Sequence, residues 1–113
     1  MKKIQLQLTP RQLNTLVYLF TYVNRVYPKT RAEKVMRSIL DRLMIKIKKK
    51  HVEVEATVHT LFTKKDKKYT FTFEYHEADC LEQYLLIADD FPLNDYDQNA
   101  VLFMKNKLNQ QLA

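Results

Sequence analysis

Residues 44–59 read MIKIKKKHVEVEATVH, and two periods compete within them. To their left, Ala32, Val35, Met36, Ile39, Leu40, Leu43, Met44 and Ile47 recur at three and four residues, the period of one helix face. To the right, Val52, Val54, Ala56 and Val58 alternate with Glu53, Glu55, Thr57 and His59, the period of a half-buried strand. The stretch reads either as a helix running into a strand or as alternation from Ile45 onward, and we place the boundary near Lys49. A strand here sets the architecture. Tyr69, Phe71, Phe73 and Tyr75 form a second alternating run, and the lysine-rich link KKDKK at 64–68 then reads as the turn of an antiparallel hairpin.

Outward from this stretch the elements have clear signals. Ile4, Leu6 and Leu8 alternate with Gln5 and Gln7 as a first strand. Thr9, Pro10 and Gln12 have capping-box spacing with proline at the first helical position, so a helix follows to about Tyr27, before Pro28. Leu13, Leu16, Val17, Phe20, Val23 and Tyr27 share its buried face. Thr30 and Glu33 cap the second helix, whose opposite side carries Arg31, Lys34, Arg37, Asp41 and Arg42. Leu81, Tyr84, Leu85 and Ala88 mark a third helix, with Glu77 and Asp79 near its positive N-terminal end. Asn94 caps a fourth, beyond Pro92, striped by Val101, Met104, Leu108 and Leu112. The expected fold is a single α+β domain over 1–113, in the order β-α-α-β-β-α-α. It has a small three-stranded antiparallel sheet with four helices packed on one face. IQLQLTPRQLNTLVYLF and FTFEYHEADCLEQYLLI each run from strand into helix. That repeat suggests two related β-α-α halves, with the first and last strands adjacent in a 2-3-1 sheet.

Composition narrows the function. The 113 residues contain no glycine, which excludes phosphate-cradling loops and dinucleotide turns. The single Cys80 permits no intrachain disulfide and suits a reducing, cytoplasmic setting. No apolar run is long enough to cross a membrane. The net charge of +6 is unevenly divided. Residues 1–68 hold 17 Lys/Arg against 5 Asp/Glu, a net +12, and residues 69–113 hold 2 against 8, a net −6. One basic and one acidic surface follow, suited to a polyanion or to pairing between copies.

Chemistry has few footholds. His76 and Cys80 are one helical turn apart, but no third group orients them, so Cys80 reads as a packed core residue rather than a nucleophile or metal ligand. Glu53 and Glu55 fall on one face of the expected strand, open to solvent, where carboxylates are ordinarily not catalytic. No enzyme, metal site or cofactor is expected. Exposed strand edges would permit pairing with a second chain, although Lys2 and Lys3 oppose it.

The candidate surfaces are basic. Arg31, Lys34, Arg37 and Arg42 lie along the second helix, Lys46, Lys48, Lys49 and Lys50 at its end, and Lys64, Lys65, Lys67 and Lys68 at the hairpin tip. A strand between the last two clusters would hold them ~30 Å apart. Arg11, Tyr18, Tyr22 and Arg25 share a sector of the first helix and suit a partner or homodimer contact, or the helix seam. The expected function is a small binding module whose basic half contacts nucleic acid backbone without sequence specificity. The alternative is a protein–protein or self-association domain using the charge split.

Overall fold

The computed structural model describes residues 3–25, 27–58 and 67–113, with the backbone alone for residues 25, 57, 58 and 89. β1 (Ile4–Leu8) buries Ile4, Leu6 and Leu8 and exposes Gln5 and Gln7, as its alternation requires. Thr9 then caps α1 (Pro10–Leu19). Its hydroxyl accepts from the Gln12 N–H at 3.2 Å, and the Gln12 side chain accepts from the Thr9 N–H at 3.0 Å. The α-helix ends earlier than expected, and Phe20–Arg25 continues as a 3₁₀ helix that buries Phe20 and Val23, whereas Tyr27, expected on the same face, lies beyond the helix and is exposed.

α2 runs from Arg31 to Val58, 28 residues or about 42 Å, and overturns the expected middle strand. The burial of its valines shows why. Residues two apart share a face in a strand but point about 200° apart on a helix. Val54 is 2% exposed and Val52 is 68% exposed, so the helical period wins. Leu40, Leu43, Ile47 and Val54 make one buried stripe. The intervening glutamates are used one turn back, where Glu53 lies 3.7 Å from Lys50 and Glu55 lies 3.2 Å from His51. The alternation of VEVEATVH is therefore no obstacle to the helix, which accommodates these residues at modest propensity cost. Ala32 and Val35, expected on the buried face, are exposed instead.

Among the described residues the sheet therefore has two strands, not three. β2 (Tyr69–Phe73) pairs antiparallel with β1, from Ile4 opposite Phe73 to Leu8 opposite Tyr69. The expected adjacency of the first and last strands holds, and the apolar face of the pair, with Phe71 and Phe73, enters the core. β2 passes directly into α3 (Tyr75–Ile87), since the Glu77 carboxylate accepts from the Glu74 N–H at 2.8 Å and starts the helix there. A short 3₁₀ helix (Ala88–Asp90) precedes α4 (Asp95–Leu112), which Asn94 caps at the Asp97 N–H, 2.8 Å away. One cluster of buried side chains draws on every one of these elements.

Thus β-α-3₁₀-α occurs twice in the described chain. The sheet edges are treated alike in both halves. On the β1 edge, the Gln111 amide of α4 accepts from the Gln5 N–H at 2.9 Å and donates to the Gln5 carbonyl at 2.6 Å. On the β2 edge, Lys46 of α2 donates to the Thr72 carbonyl at 2.7 Å. Gln5 and Thr72 are partners in the ladder, so each strand is covered on its outer side at the same level. The edge pairing with a second chain that the sequence allowed is blocked there by these side chains.

Candidate functional site

α2 carries eight Lys/Arg and four Asp/Glu, and its geometry sorts the basic residues into three roles. Arg37 is a clamp. Its guanidinium donates to the Val23 carbonyl and to Asn24 Oδ1, each at 3.1 Å, and pairs with Asp41 at 3.0 Å, so it ties α2 to the 3₁₀ helix. Arg37 is thus engaged within the chain. Arg31, Lys34, Arg42 and Lys49 occupy the solvent pole opposite the buried stripe, with Lys48 on its flank, and all five are exposed. None of these five makes an ion pair among the described residues. Lys46 and Lys50 turn toward β2.

Lys46, Lys49 and Lys50 line a shallow crevice of about 360 Å³ between α2 and β2, with Thr70, Phe71, Thr72 and Glu53. Lys46 reaches over the Phe73 ring, 5.3 Å from its centroid, while bonding Thr72. The Tyr69 ring gathers two more ammonium groups, Lys50 at 5.9 Å and Lys67 at 5.4 Å. The two basic clusters expected ~30 Å apart on a strand therefore meet at one ring, because the helix carries residues 50–58 away and the chain has returned by Lys67. Lys68 is exposed beside them. Lys64 and Lys65 lie outside the described residues. The Lys50–Glu53 contact is largely exposed and offsets little of this charge.

The aromatic sector of α1 is occupied within the chain. Arg11 stacks on Tyr96, 3.7 Å from its centroid, which joins α1 to α4. The Tyr18 and Tyr22 hydroxyls lie 2.8 Å apart, and the Tyr22 ring stacks on Phe91 at 4.9 Å. The side chain of Arg25 is outside the described residues. Arg11 and Tyr18 are nonetheless exposed and Tyr22 is half-buried, so the cluster lies at the surface.

A second cavity, of about 240 Å³, lies between the start of α2 and α3 and is lined by Val23, Met36, Leu40, Cys80 and Tyr84 among others. Cys80 is buried in its floor and its thiol donates to the Met36 carbonyl at 3.2 Å. Burial, helped by the Asp79 carboxylate, pushes that thiol up to about 11, so it stays protonated at neutral pH and is a poor nucleophile. Burial likewise raises Tyr84 to about 12, while its hydroxyl donates to the Leu19 carbonyl. His76 is exposed, away from any described third partner for Cys80. Glu53 and Glu55, a same-face pair on the expected strand, diverge by about 200° on the helix. Among the described residues no cluster of His, Cys, Asp and Glu is placed to hold a metal, and no helix is long and apolar enough to cross a membrane.

Sequence reasoning missed the solvent-facing apolar row of α2. Val35, Ile45 and Val52 are 55%, 71% and 68% exposed. Their spacing of ten and seven residues, which keeps them on one helix face, becomes visible only once the helix is extended past Lys49. Comparison with protein-family models, with curated proteins and with solved structures finds no match for this chain.

Proposed function

We propose that this protein is a non-enzymatic binding module that holds the phosphate backbone of nucleic acid without sequence specificity, in a reducing, cytoplasmic setting and without a cofactor. The supporting observation is the gathering of Lys46, Lys49 and Lys50 around the α2–β2 crevice, beside the hydroxyl-bearing Thr70 and Thr72, with Lys67 joined to this group through the Tyr69 ring it shares with Lys50. Lysine ammonium groups and threonine hydroxyls are phosphate donors, and a shallow, open crevice suits a backbone rather than base edges. Arg31 and Lys34 lie ~22–27 Å from Lys49 along the same helix, within one extended contact.

The test is binding to random-sequence duplex and single-stranded DNA across a salt series starting at ~50 mM, where phosphate contacts are strong. Each neutralised phosphate contributes about 0.9 to the slope of log affinity against log salt on duplex. Replacing Lys50, Lys67 and Lys68 by serine should keep the fold and flatten the slope by about 2–3. An unchanged slope, or no detectable binding by the wild type at the lowest salt, contradicts the reading.

A further inference from the structure

We propose that α2 is also a self-association helix, pairing antiparallel with α2 of a second copy through its solvent pole. The row Val35, Ser38, Arg42, Ile45, Lys49, Val52 is exposed throughout and spaced alternately three and four residues apart, the spacing of a coiled-coil seam. Charge decides both the occupant and the register.

In an antiparallel pair with Val35 level with Val52 of the second copy, Ile45 lies level with Arg42 and Ser38 with Lys49. Each charged residue of the seam then faces an apolar or small one. Its aliphatic stem covers that neighbour while its head reaches water. On one flank, Lys34 meets Glu55 of the second copy, and Asp41 meets Lys48. Side chains lean toward their own N-termini, which brings these residues toward one another. The twofold repeats both contacts, giving opposite charges at every such position.

A shift of one heptad either way destroys this. One shift puts Asp41 against Glu55 and Lys48 against its own copy. The other puts Lys34 against Lys48 and Asp41 against itself. A parallel pair stacks Arg42 on Arg42 and Lys49 on Lys49. Only the stated register is complementary, and it also overlaps residues 31–56 fully, ~38 Å of helix. A strip of that length buries on the order of 1,000 Å² in total, the lower bound for a specific interface, so the dimer is a weak one.

The twofold also places both α2–β2 crevices on one side of the dimer, which would let one polyanion span two copies. That corollary rests on the function proposed above. The dimer does not, and its test contains no nucleic acid.

Sedimentation equilibrium of the purified chain over ~5–500 μM, at low salt where charge pairs are weakly screened, should show monomer passing to dimer. Ile45→Asp changes an exposed side chain and spares the core, so the variant should fold as wild type by circular dichroism and dissociate at least about tenfold more readily. Lys34→Glu should weaken the dimer, and Lys34→Glu with Glu55→Lys should recover it, since both reversed pairs are again complementary. A wild type that stays monomeric to ~500 μM at low salt overturns the proposal. So does a folded Ile45→Asp chain that dimerises undiminished, or a double reversal no tighter than the single one.

Discussion

The two β-α-3₁₀-α halves of this chain share their plan and differ in where they stop. In the second half, α4 ends at Leu112, just after Gln111 has covered the β1 edge. In the first half, α2 covers the β2 edge with Lys46 and then continues for twelve residues, to Val58. Charge follows the same division. The half with the longer helix is strongly basic, and the half with the shorter one is acidic. An element used for closure in one half is used for closure and display in the other. The displayed part holds Lys48, Lys49, Lys50 and Val52, which pack little of the core, while Ile47 at its start and Val54 further on anchor it among the described side chains. Duplicated architecture therefore does not imply duplicated surface: the excess length of one helix carries the groups that can meet a partner.

The largest test of this contrast lies in α2 beyond the edge. Val54→Ala should lower stability by about 1–3 kcal/mol through lost burial, whereas Val52→Ala should stay within about 0.5 kcal/mol, alanine being the better helix former. Urea denaturation of the two variants checks this. Equal losses would put both valines on one face and return the segment to a strand. A smaller effect is expected at the edges. Gln111→Ala removes two hydrogen bonds to Gln5 and should cost about 1–2 kcal/mol. Lys46→Ala removes one, partly exposed, and should cost about half that. If the order were reversed, the two halves would not close their edges as described.

The smallest effect concerns the start of α2. The Glu33 carboxylate accepts from the Lys29 N–H at 2.6 Å and the Thr30 N–H at 3.2 Å, which holds it below its ordinary pKa. A carboxyl with a depressed folded pKa stabilises the fold above its unfolded value and loses that contribution as pH falls through the folded one. Acidification below the ordinary carboxylate range should therefore fray the first turn of α2. Glu33→Gln should make that step shallower, as followed by amide exchange at Lys29 and Thr30. An identical acid profile in the variant would remove Glu33 as the cause.

Much of this was legible before the structure, and the exceptions have physical reasons. The caps at Thr9, Thr30 and Asn94 were readable because each is a local contact between residues three apart. The pairing of β1 with the Tyr69 strand followed from two alternating runs that each lead into a helix. Residues 50–58 misled because a valine-glutamate alternation looks like a strand face. It is settled only by what lies beside Val54 in space and by the lysine and histidine one turn earlier. That single error added a strand to the expected sheet, hid the solvent-facing row of α2, and separated two lysine clusters that meet at Tyr69. Edge covering by Gln111 and Lys46 has no sequence signature, since it joins residues far apart in the chain. The role of Arg37 was hidden similarly, because its acceptors at Val23 and Asn24 belong to a turn whose path the sequence does not fix.

The crevice, the seam and the two-stranded sheet all depend on one unbroken helix from Arg31 to Val58. Backbone ¹³C chemical shifts of the uniformly labelled protein test this most directly. Cα shifts should stay displaced toward helical values through Lys50, Val52, Val54 and Ala56. A change to strand-like shifts after Lys49, with cross-strand contacts from Val54 to Phe71 or Phe73, would contradict the account and restore a three-stranded sheet.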